Sequence, residues 1–259
     1  MSGIKIENIT LGYEKNIIFN GFDLKLKKNK VTSIIGANGC GKSTLLMSIA
    51  RILKPQKGEI YISDKNVFSS NTKEVAKELA LLPQSPSAPL SLTVEELVSY
   101  GRFPHKNGFG ILNSEDQHKI ELALKETNLI DFRDREIGSL SGGQRQRAWV
   151  ALAFAQDSDT ILLDEPTTYL DLSFQIEVLE ILKKLNRQSN KTIIMVLHDI
   201  NLACKYSDYI IGLKNGKVII YDEPKKAVTV ETVKQMYSVD AQIIINEKND
   251  KPVCIDFDL

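Results

Sequence analysis

The sequence has 259 residues, enough for one large domain or two small ones with a substantial buried core. Apolar residues make up 42% and charged residues 25%, which is ordinary for a globular protein and excludes a disordered chain. Lysine and arginine together number 33, as do aspartate and glutamate, so the formal net charge is zero. This balance argues against a dedicated nucleic-acid binder, which usually carries a strong basic excess.

The cysteines Cys40, Cys204 and Cys254 provide no plausible disulfide framework, so we expect a reducing compartment. The N-terminal residues alternate polar and apolar side chains, and no signal peptide is predicted there. No apolar run approaches the ~18–20 residues that a membrane-spanning helix requires. A role at a membrane would therefore depend on a partner.

Short alternating runs predict strands in the first part of the chain. We expect an antiparallel layer around a more apolar strand over residues 31–35, and a buried strand over residues 79–82 that ends at Pro83. The strands of the antiparallel layer are predicted over residues 4–11, 22–26 and 58–62.

A glycine-rich segment follows the predicted strand 31–35 and leads into a predicted helix near Lys42. The spacing G-x-x-x-x-G-K-S between a strand and a helix is typical of a loop that binds nucleotide phosphates. Glycine lets the backbone amides approach a polyphosphate, and the helix start presents its positive dipole end. Lys42 would contact the terminal phosphates and Ser43 would ligate Mg²⁺. The candidate nucleotide-binding residues here are Gly36, Ala37, Asn38, Gly39, Cys40, Gly41, Lys42, Ser43 and Thr44.

The next stretch is predicted to be a helical insertion. Thr93 with Glu96 forms a capping box that starts one helix, and another opens at Ser114. Glycine and proline in residues 101–110 predict a loop between the two helices.

Alternating helices and strands follow, which predicts a mostly parallel sheet covered by helices. Asn215-Gly216 between two apolar runs predicts a hairpin. The remaining predictions are helices over residues 144–155 and 173–188, strands over 161–163 and 192–197, and a terminal hairpin formed by 240–245 and 252–255.

Polar residues follow three predicted strands, at the edge where ligands bind in open α/β sheets. Asp164 would hold Mg²⁺ and Glu165 would polarise the attacking water. His198 follows another strand and would reach a γ-phosphate, although a lone histidine is more often structural. Gln84 would ligate Mg²⁺ or position water, and an ordinary surface glutamine is the alternative.

A second anion cradle is predicted at the helix start formed by Ser141, Gly142, Gly143 and Gln144. The spacing between the two cradles leaves open whether both bind one nucleotide.

These motifs together resemble an ATP-binding cassette (ABC) ATPase, and the resemblance covers nearly the whole chain. The most specific motif is Leu-Ser-Gly-Gly-Gln at residues 140–144, which other phosphate-loop families lack. The motifs that carry the resemblance are, in chain order, residues 36–44, Gln84, 140–144, 162–165, 168–171 and His198.

The resemblance implies a P-loop α/β fold and a single ABC ATPase domain over residues 1–259. It would comprise a nucleotide-binding core of residues 1–83 and 146–240, a helical insertion of 84–145, and a C-terminal hairpin of 241–259. Two copies would pair head to tail, so that the cradle at residues 141–144 of one copy closes over the ATP held by the other. Tyr13 would stack on adenine, Asp171 would lie at the dimer seam, and Gln84 would link the site to a membrane partner.

The segments 95–105, 143–147, 167–171 and 196–203 resemble the ATPase subunits of bacterial iron-siderophore importers, and residues 101–109 are especially similar to ferric-hydroxamate ATPases. This implies a peripheral protein at the cytoplasmic face of the cell membrane, bound to permease subunits and served by an extracytoplasmic siderophore-binding protein.

Importers of cobalamin or haem share much of the pattern. A soluble cassette ATPase for cofactor assembly is a further alternative. A GTPase is disfavoured because neither Asn-Lys pair, Asn29-Lys30 or Asn190-Lys191, continues as the x-Asp of a guanine-binding motif.

Overall fold

The computed structural model describes residues 2–14, 16–106 and 111–259. The strands are β1 Ser2–Tyr13, β2 Asn16–Lys27, β3 Val31–Ile35, β4 Lys57–Ile62, β5 Lys65–Asn66, β6 Leu79–Leu82, β7 Thr160–Asp164, β8 Thr192–Val196, β9 Tyr209–Lys214, β10 Lys217–Asp222, β11 Asp240–Asn246 and β12 Lys251–Asp258. The α-helices are α1 Lys42–Ile49, α2 Thr72–Glu78, α3 Val94–Ser99, α4 Ser114–Glu126, α5 Gly142–Ala155, α6 Leu172–Ser189, α7 Ile200–Tyr206, α8 Pro224–Ala227 and α9 Val230–Tyr237. Short 3-10 helices cover Tyr100–His105, Ile130–Phe132 and Ile137–Ser139.

The chain forms two compact units. The first combines the chain up to Ser70 with Thr192–Leu259, and the second is Asn71–Lys191. The second unit is larger than the predicted insertion of residues 84–145, because it also contains β6, β7, α5 and α6. The predicted division into core, insertion and C-terminal hairpin stays a prediction. In the part of the chain that the structure describes, no helix combines the length and apolarity needed to cross a membrane.

The first unit contains the predicted antiparallel layer, with strand order β2-β1-β4-β5. Residues in β2 alternate between buried and exposed over much of its length, as expected of a strand with one face on the core. The isoleucines of β1 that face inward, Ile4, Ile6 and Ile9, are almost completely buried. Each such side chain contributes roughly 1.5–3 kcal/mol by removing apolar surface from water.

A second sheet in the same unit places β3 between two parallel neighbours, β8 and β9. Ile34 aligns with Val196 on one side and with Ile211 on the other, so the carboxyl ends of these strands coincide. Strand β10 pairs antiparallel with β9 through the predicted turn, where Asn215 and Gly216 have φ angles of 47° and 71°. Both residues are left-handed, which suits a two-residue hairpin turn. The terminal hairpin of β11 and β12 also forms as predicted.

The second unit pairs β6 with β7 in parallel and contains the helices predicted from their caps. Thr93 and Glu96 form both bonds of the predicted capping box, and Asn113 caps α4 in the same way with Asp116. The loop prediction is wrong for residues 101–105, which belong to the 3-10 helix Tyr100–His105. Gly101 packs there against α5, since an added Cβ would lie 2.3 Å from the Leu152 carbonyl oxygen. Residues 107–110 of the predicted loop lie outside the described residues.

A buried ion pair joins the helices of the second unit. Arg102 Nε lies 2.8 Å from Asp116 Oδ1, and each side chain is only 2% exposed. Arg102 also donates to the carbonyl oxygen of Ala155 at 2.8 Å, so the guanidinium holds the end of α5 as well. Burial alone would raise the pKa of Asp116, but hydrogen bonds from Arg102 and the Asn113 amide outweigh burial and lower it.

The substitution Asp116→Asn should destabilise the protein by about 3–5 kcal/mol, because it leaves the Arg102 charge buried without its partner. Urea unfolding measures the change. The matched control is Asp250→Asn, which removes the exposed partner of Lys225 and should cost less than ~1 kcal/mol.

The same measurement across pH checks the cause. The lowered pKa of Asp116 means that its contribution is complete above the unfolded value of about 3.9 and is lost as pH falls through the folded value. The difference between wild type and Asp116→Asn should therefore shrink below about pH 4. Equal costs for the two substitutions at neutral pH would contradict the assignment.

Candidate functional site

The glycine-rich loop of the first unit adopts a backbone shape that only glycine accommodates. Gly36 has a φ of 147° and Gly41 a φ of 109°. A Cβ at Gly36 would lie 2.2 Å from the carbonyl oxygen of Leu213, and one at Gly41 would lie 2.8 Å from Ile18 Cγ2. The loop backbone therefore runs as close to its neighbours as predicted, with β9 beside Gly36 and β2 beside Gly41.

The β9–β10 turn also supports the loop. The Gly216 amide donates to the carbonyl oxygen of Cys40 at 3.2 Å. A Cβ on Gly216 would lie 1.8 Å from the carbonyl oxygen of Ile18, so the turn also packs directly on β2. From the sequence alone, Asn215-Gly216 predicts only a hairpin. Its second role depends on contacts between distant segments, which local composition does not show.

Lys42 begins α1 and folds back over the loop. Its ammonium donates to the carbonyl oxygens of Gly36 at 2.8 Å and Ala37 at 3.1 Å, and the residue is only 5% exposed. The amide of Leu45 donates to the Gly41 carbonyl at 2.9 Å, as the first helical bond of α1. The three amides before it, at residues 42–44, lie in the first turn, where helices bind anions. Cys40 lies buried beside this turn; burial raises the pKa of its thiol, although the Lys42 charge opposes the rise.

Tyr13 and His198 lie at the same end of the first unit as the loop. Tyr13 ends β1, is 52% exposed and pairs with Asn16, close to the β2 residues that contact Gly41. His198 is exposed and follows β8, where the Leu197 amide donates to the Ile34 carbonyl oxygen at 3.2 Å. The parallel register therefore places His198 beside the start of the loop.

In the second unit, the structure brings Gln84 and Glu165 into direct contact. Gln84 Nε2 donates to Glu165 Oε2 at 2.6 Å, and the same oxygen accepts from the Thr168 hydroxyl at 3.0 Å. Asp164 ends β7 and is 2% exposed. Gln84, Asp164 and Glu165 are the candidates predicted from the sequence, whereas Thr168 belongs to the motif at residues 168–171 without a predicted role of its own. The signal that could have revealed it is the Glu-Pro-x-Thr spacing, which is typical of a turn with proline at its second position.

The second predicted cradle is a capped helix start with two different glycines. Ser141 caps α5, with its hydroxyl accepting from the Gln144 amide at 3.3 Å and its amide donating to Gln144 Oε1 at 3.0 Å. Nothing lies within 4 Å of a Cβ added to Gly142, whereas a Cβ on Gly143 would lie 2.4 Å from Phe174 Cδ1. Gly142 therefore presents open backbone, and Gly143 allows α5 to pack on α6.

Two further contacts hold α5 against the segments that follow β7, one to the loop and one to α6. Gln146 Nε2 donates to the carbonyl oxygen of Pro166 at 2.8 Å, a contact that the sequence did not predict. Arg147 forms an ion pair with Glu177 of α6. Asp171 is exposed at the start of α6, where its carbonyl oxygen accepts from the Gln175 amide at 3.0 Å.

Comparison with known proteins decides the family. Residues 19–168 match the family model described as ABC transporter. The chain belongs to the ABC transporter family. It is 46% identical over 259 residues to the iron(3+)-hydroxamate import ATP-binding protein FhuC of Bacillus subtilis (strain 168), covering 100% of this chain and 96% of that protein.

Solved cassettes have the same fold. The inward-facing structure of a transporter described as an ABC transporter of the metal-chelate type superposes with a TM-score of 0.84 and 29% identity, covering 98% of this chain and 96% of that one. A dimeric ATP-binding cassette, MJ0796 bound to ADP and Pi in a post-hydrolysis state, superposes with a TM-score of 0.73 and 33% identity, covering 85% and 98% of the two chains. The predicted α/β P-loop ABC fold is thus confirmed, and the chain is an ATP-binding ATPase subunit.

The two glycines of the cassette signature should respond differently to alanine. Gly143→Ala drives a methyl group into the Phe174 ring and should destabilise the protein by about 1–3 kcal/mol. Gly142→Ala meets open space and should leave the free energy of unfolding unchanged or slightly higher. Thermal unfolding of the two variants checks this. Equal losses at both positions would show that the contact with Phe174 does not limit the packing.

Proposed function

We propose that this chain is the ATP-hydrolysing subunit of a bacterial membrane importer for iron(III)-siderophore complexes, most specifically those of the hydroxamate type. The observation that carries the chemistry is the Glu165 carboxylate, oriented by two donors and adjacent in sequence to the buried Asp164. The observation that carries the substrate class is the 46% identity, over the full length, to a hydroxamate import protein.

ATP would be held by the phosphate loop. The first-turn amides of α1 and the Lys42 ammonium would bind its phosphates, because the amides lie at a helix start and the ammonium lies over the glycine-rich loop beside it. Lys42 would exchange the carbonyl oxygens of Gly36 and Ala37 for phosphate oxygens. The exposed ring of Tyr13 would stack on adenine.

Mg²⁺ would be bound by Ser43 and Asp164, with Gln84 as the third predicted ligand. A hydroxyl and a carboxylate are hard oxygen donors, which suits a cation that keeps most of its coordination for phosphates and water. Within residues 2–14, 16–106 and 111–259, no group of three or more His, Cys, Asp or Glu side chains could hold a metal ion. When bound, Mg²⁺ would neutralise phosphate charge.

Hydrolysis would begin when Glu165 accepts a proton from the attacking water. His198 would contact the γ-phosphate from the end of β8, and Lys42 would stabilise the charge that develops on the transferred group. The signature at Ser141 and Gly142 would act on ATP held by a second copy of the chain. Its capped, open helix start offers amides to an anion, and Asp171 would lie at the seam of that closed dimer.

The closed dimer would do work because ATP favours the closed state over the open one. A solved dimer of the similar cassette with ADP and phosphate supports such pairing. The helices of the second unit would contact transmembrane permease subunits at the cytoplasmic face of the membrane and transmit the closing motion to them. An extracytoplasmic siderophore-binding protein would deliver the iron complex to the permease subunits.

Glu165→Gln should slow ATP hydrolysis by about 10²–10⁴-fold, because it removes the general base while keeping the shape of the side chain. Affinity for a fluorescent ATP analogue should stay unchanged, whereas Lys42→Ala should abolish it. Lys30→Ala, an exposed lysine of the same unit, is the control. A wild-type turnover rate for Glu165→Gln would assign the base to another residue.

Deletion of the gene should abolish uptake of radioactive iron supplied as a ferric hydroxamate, and leave uptake of amino acids and sugars unchanged. Complementation with Glu165→Gln should fail, because transport needs turnover. Loss of cobalamin or haem uptake with normal ferric-siderophore uptake would contradict the substrate class but not the family. Intact uptake of all these compounds would favour a cofactor-assembly ATPase.

A further inference from the structure

Thr168 contacts the proposed base, Glu165, and the motif at residues 168–171 does not assign this contact to Thr168. Its hydroxyl lies 3.0 Å from Glu165 Oε2, the oxygen that also accepts from Gln84 Nε2 at 2.6 Å. The two donors come from different parts of the chain. Thr168 lies in the same turn as Glu165, whereas Gln84 follows strand β6, far away in sequence.

The backbone turn fixes the position of Thr168. The Thr168 amide donates to the carbonyl oxygen of Glu165 at 3.2 Å, which closes a turn with Pro166 at its second position. Glu165 itself has a φ of 52°, in the left-handed region that a residue with a side chain rarely adopts. The surrounding contacts, including the bond from Gln146 to the Pro166 carbonyl at 2.8 Å, hold this strained geometry.

A glutamate side chain has rotatable bonds that must be fixed for its carboxylate to meet a water molecule in the right orientation. Gln84 is exposed and is also the predicted metal ligand, so its bond to Glu165 would be given up whenever its amide turns to another ligand. The bond from Thr168 is formed within the turn itself, between residues three positions apart. Of these two donors, Thr168 is the one that belongs to the same turn as Glu165, so its bond to Oε2 can persist when the Gln84 amide turns away.

We propose that Thr168 is a positioning residue for ATP hydrolysis, whose hydroxyl holds Glu165 through Oε2 and so directs the carboxylate toward the attacking water. The inference rests on the proposed role of Glu165 as general base. It assigns to Thr168 no contact with ATP, so its loss should affect turnover and not nucleotide binding.

Thr168→Val tests this, because it replaces the hydroxyl by a methyl group of similar size. We expect kcat for ATP to fall about 10- to 100-fold, with KM and the affinity for a fluorescent ATP analogue unchanged. Thr168→Ser keeps the hydroxyl and should retain a rate close to that of the wild type. Should the valine variant fail to bind the analogue, Thr168→Ala must show the same loss of kcat. A wild-type kcat for the variants without the hydroxyl would overturn the proposal.

A double-mutant cycle separates positioning from a structural role. In the Glu165→Gln background, Thr168→Val should cause no further loss of rate, because no base remains to be positioned. An equal loss in both backgrounds would show that Thr168 acts independently of Glu165 and would overturn the inference. A fast Glu165→Gln enzyme would instead contradict the proposed base, whereas a slow one combined with a normal Thr168→Val enzyme contradicts only the role of Thr168.

Discussion

The close approach of backbone segments around the phosphate loop is the constraint on which the rest of the nucleotide site depends. Gly36 lies against the Leu213 carbonyl and Gly41 against Ile18, so the loop is confined between β9 and β2. The Gly216 amide then fixes the Cys40 carbonyl at 3.2 Å. This confinement fixes the first turn of α1 and the position of Lys42 over the loop, the groups that we propose to bind the phosphates of ATP.

The loop after β7 in the second unit is likewise held by an unusual backbone conformation and by contacts from neighbouring residues. A strand ends, the backbone enters the left-handed region, and a short turn holds the side chain that we propose as the general base. Glu165, with a φ of 52°, is the residue under strain, and Thr168 and Gln146 supply the bonds that keep it there. Such strain costs of order 1–3 kcal/mol and persists only where neighbouring contacts determine the geometry. The signature start of α5 is linked to the same loop through Gln146, so the two proposed functional segments of this unit are mechanically connected.

Local patterns predicted most of the fold because their causes are local. The capping box of Thr93 and Glu96, the Asn215-Gly216 turn and the spacing around Lys42 each act within a few residues. Errors and omissions arose where a residue serves a distant partner. Gly101 suggested a loop but packs against α5, and Gly216 supports the phosphate loop in addition to its hairpin. Among the site residues, the bond from Gln84 to Glu165 joins separate segments, and no sequence spacing specifies it.

Two copies of the chain are proposed to complete each other's ATP sites, and the assembly state of the protein tests this pairing most directly. The Glu165→Gln protein in saturating MgATP should run as a dimer by light scattering and hold one nucleotide per chain. The same protein with Ser141→Arg added should bind ATP equally well and stay monomeric, because the arginine places bulk and positive charge at the signature helix start. A Glu165→Gln chain that binds ATP but stays monomeric, or a Ser141→Arg variant that dimerises equally well, would contradict the account.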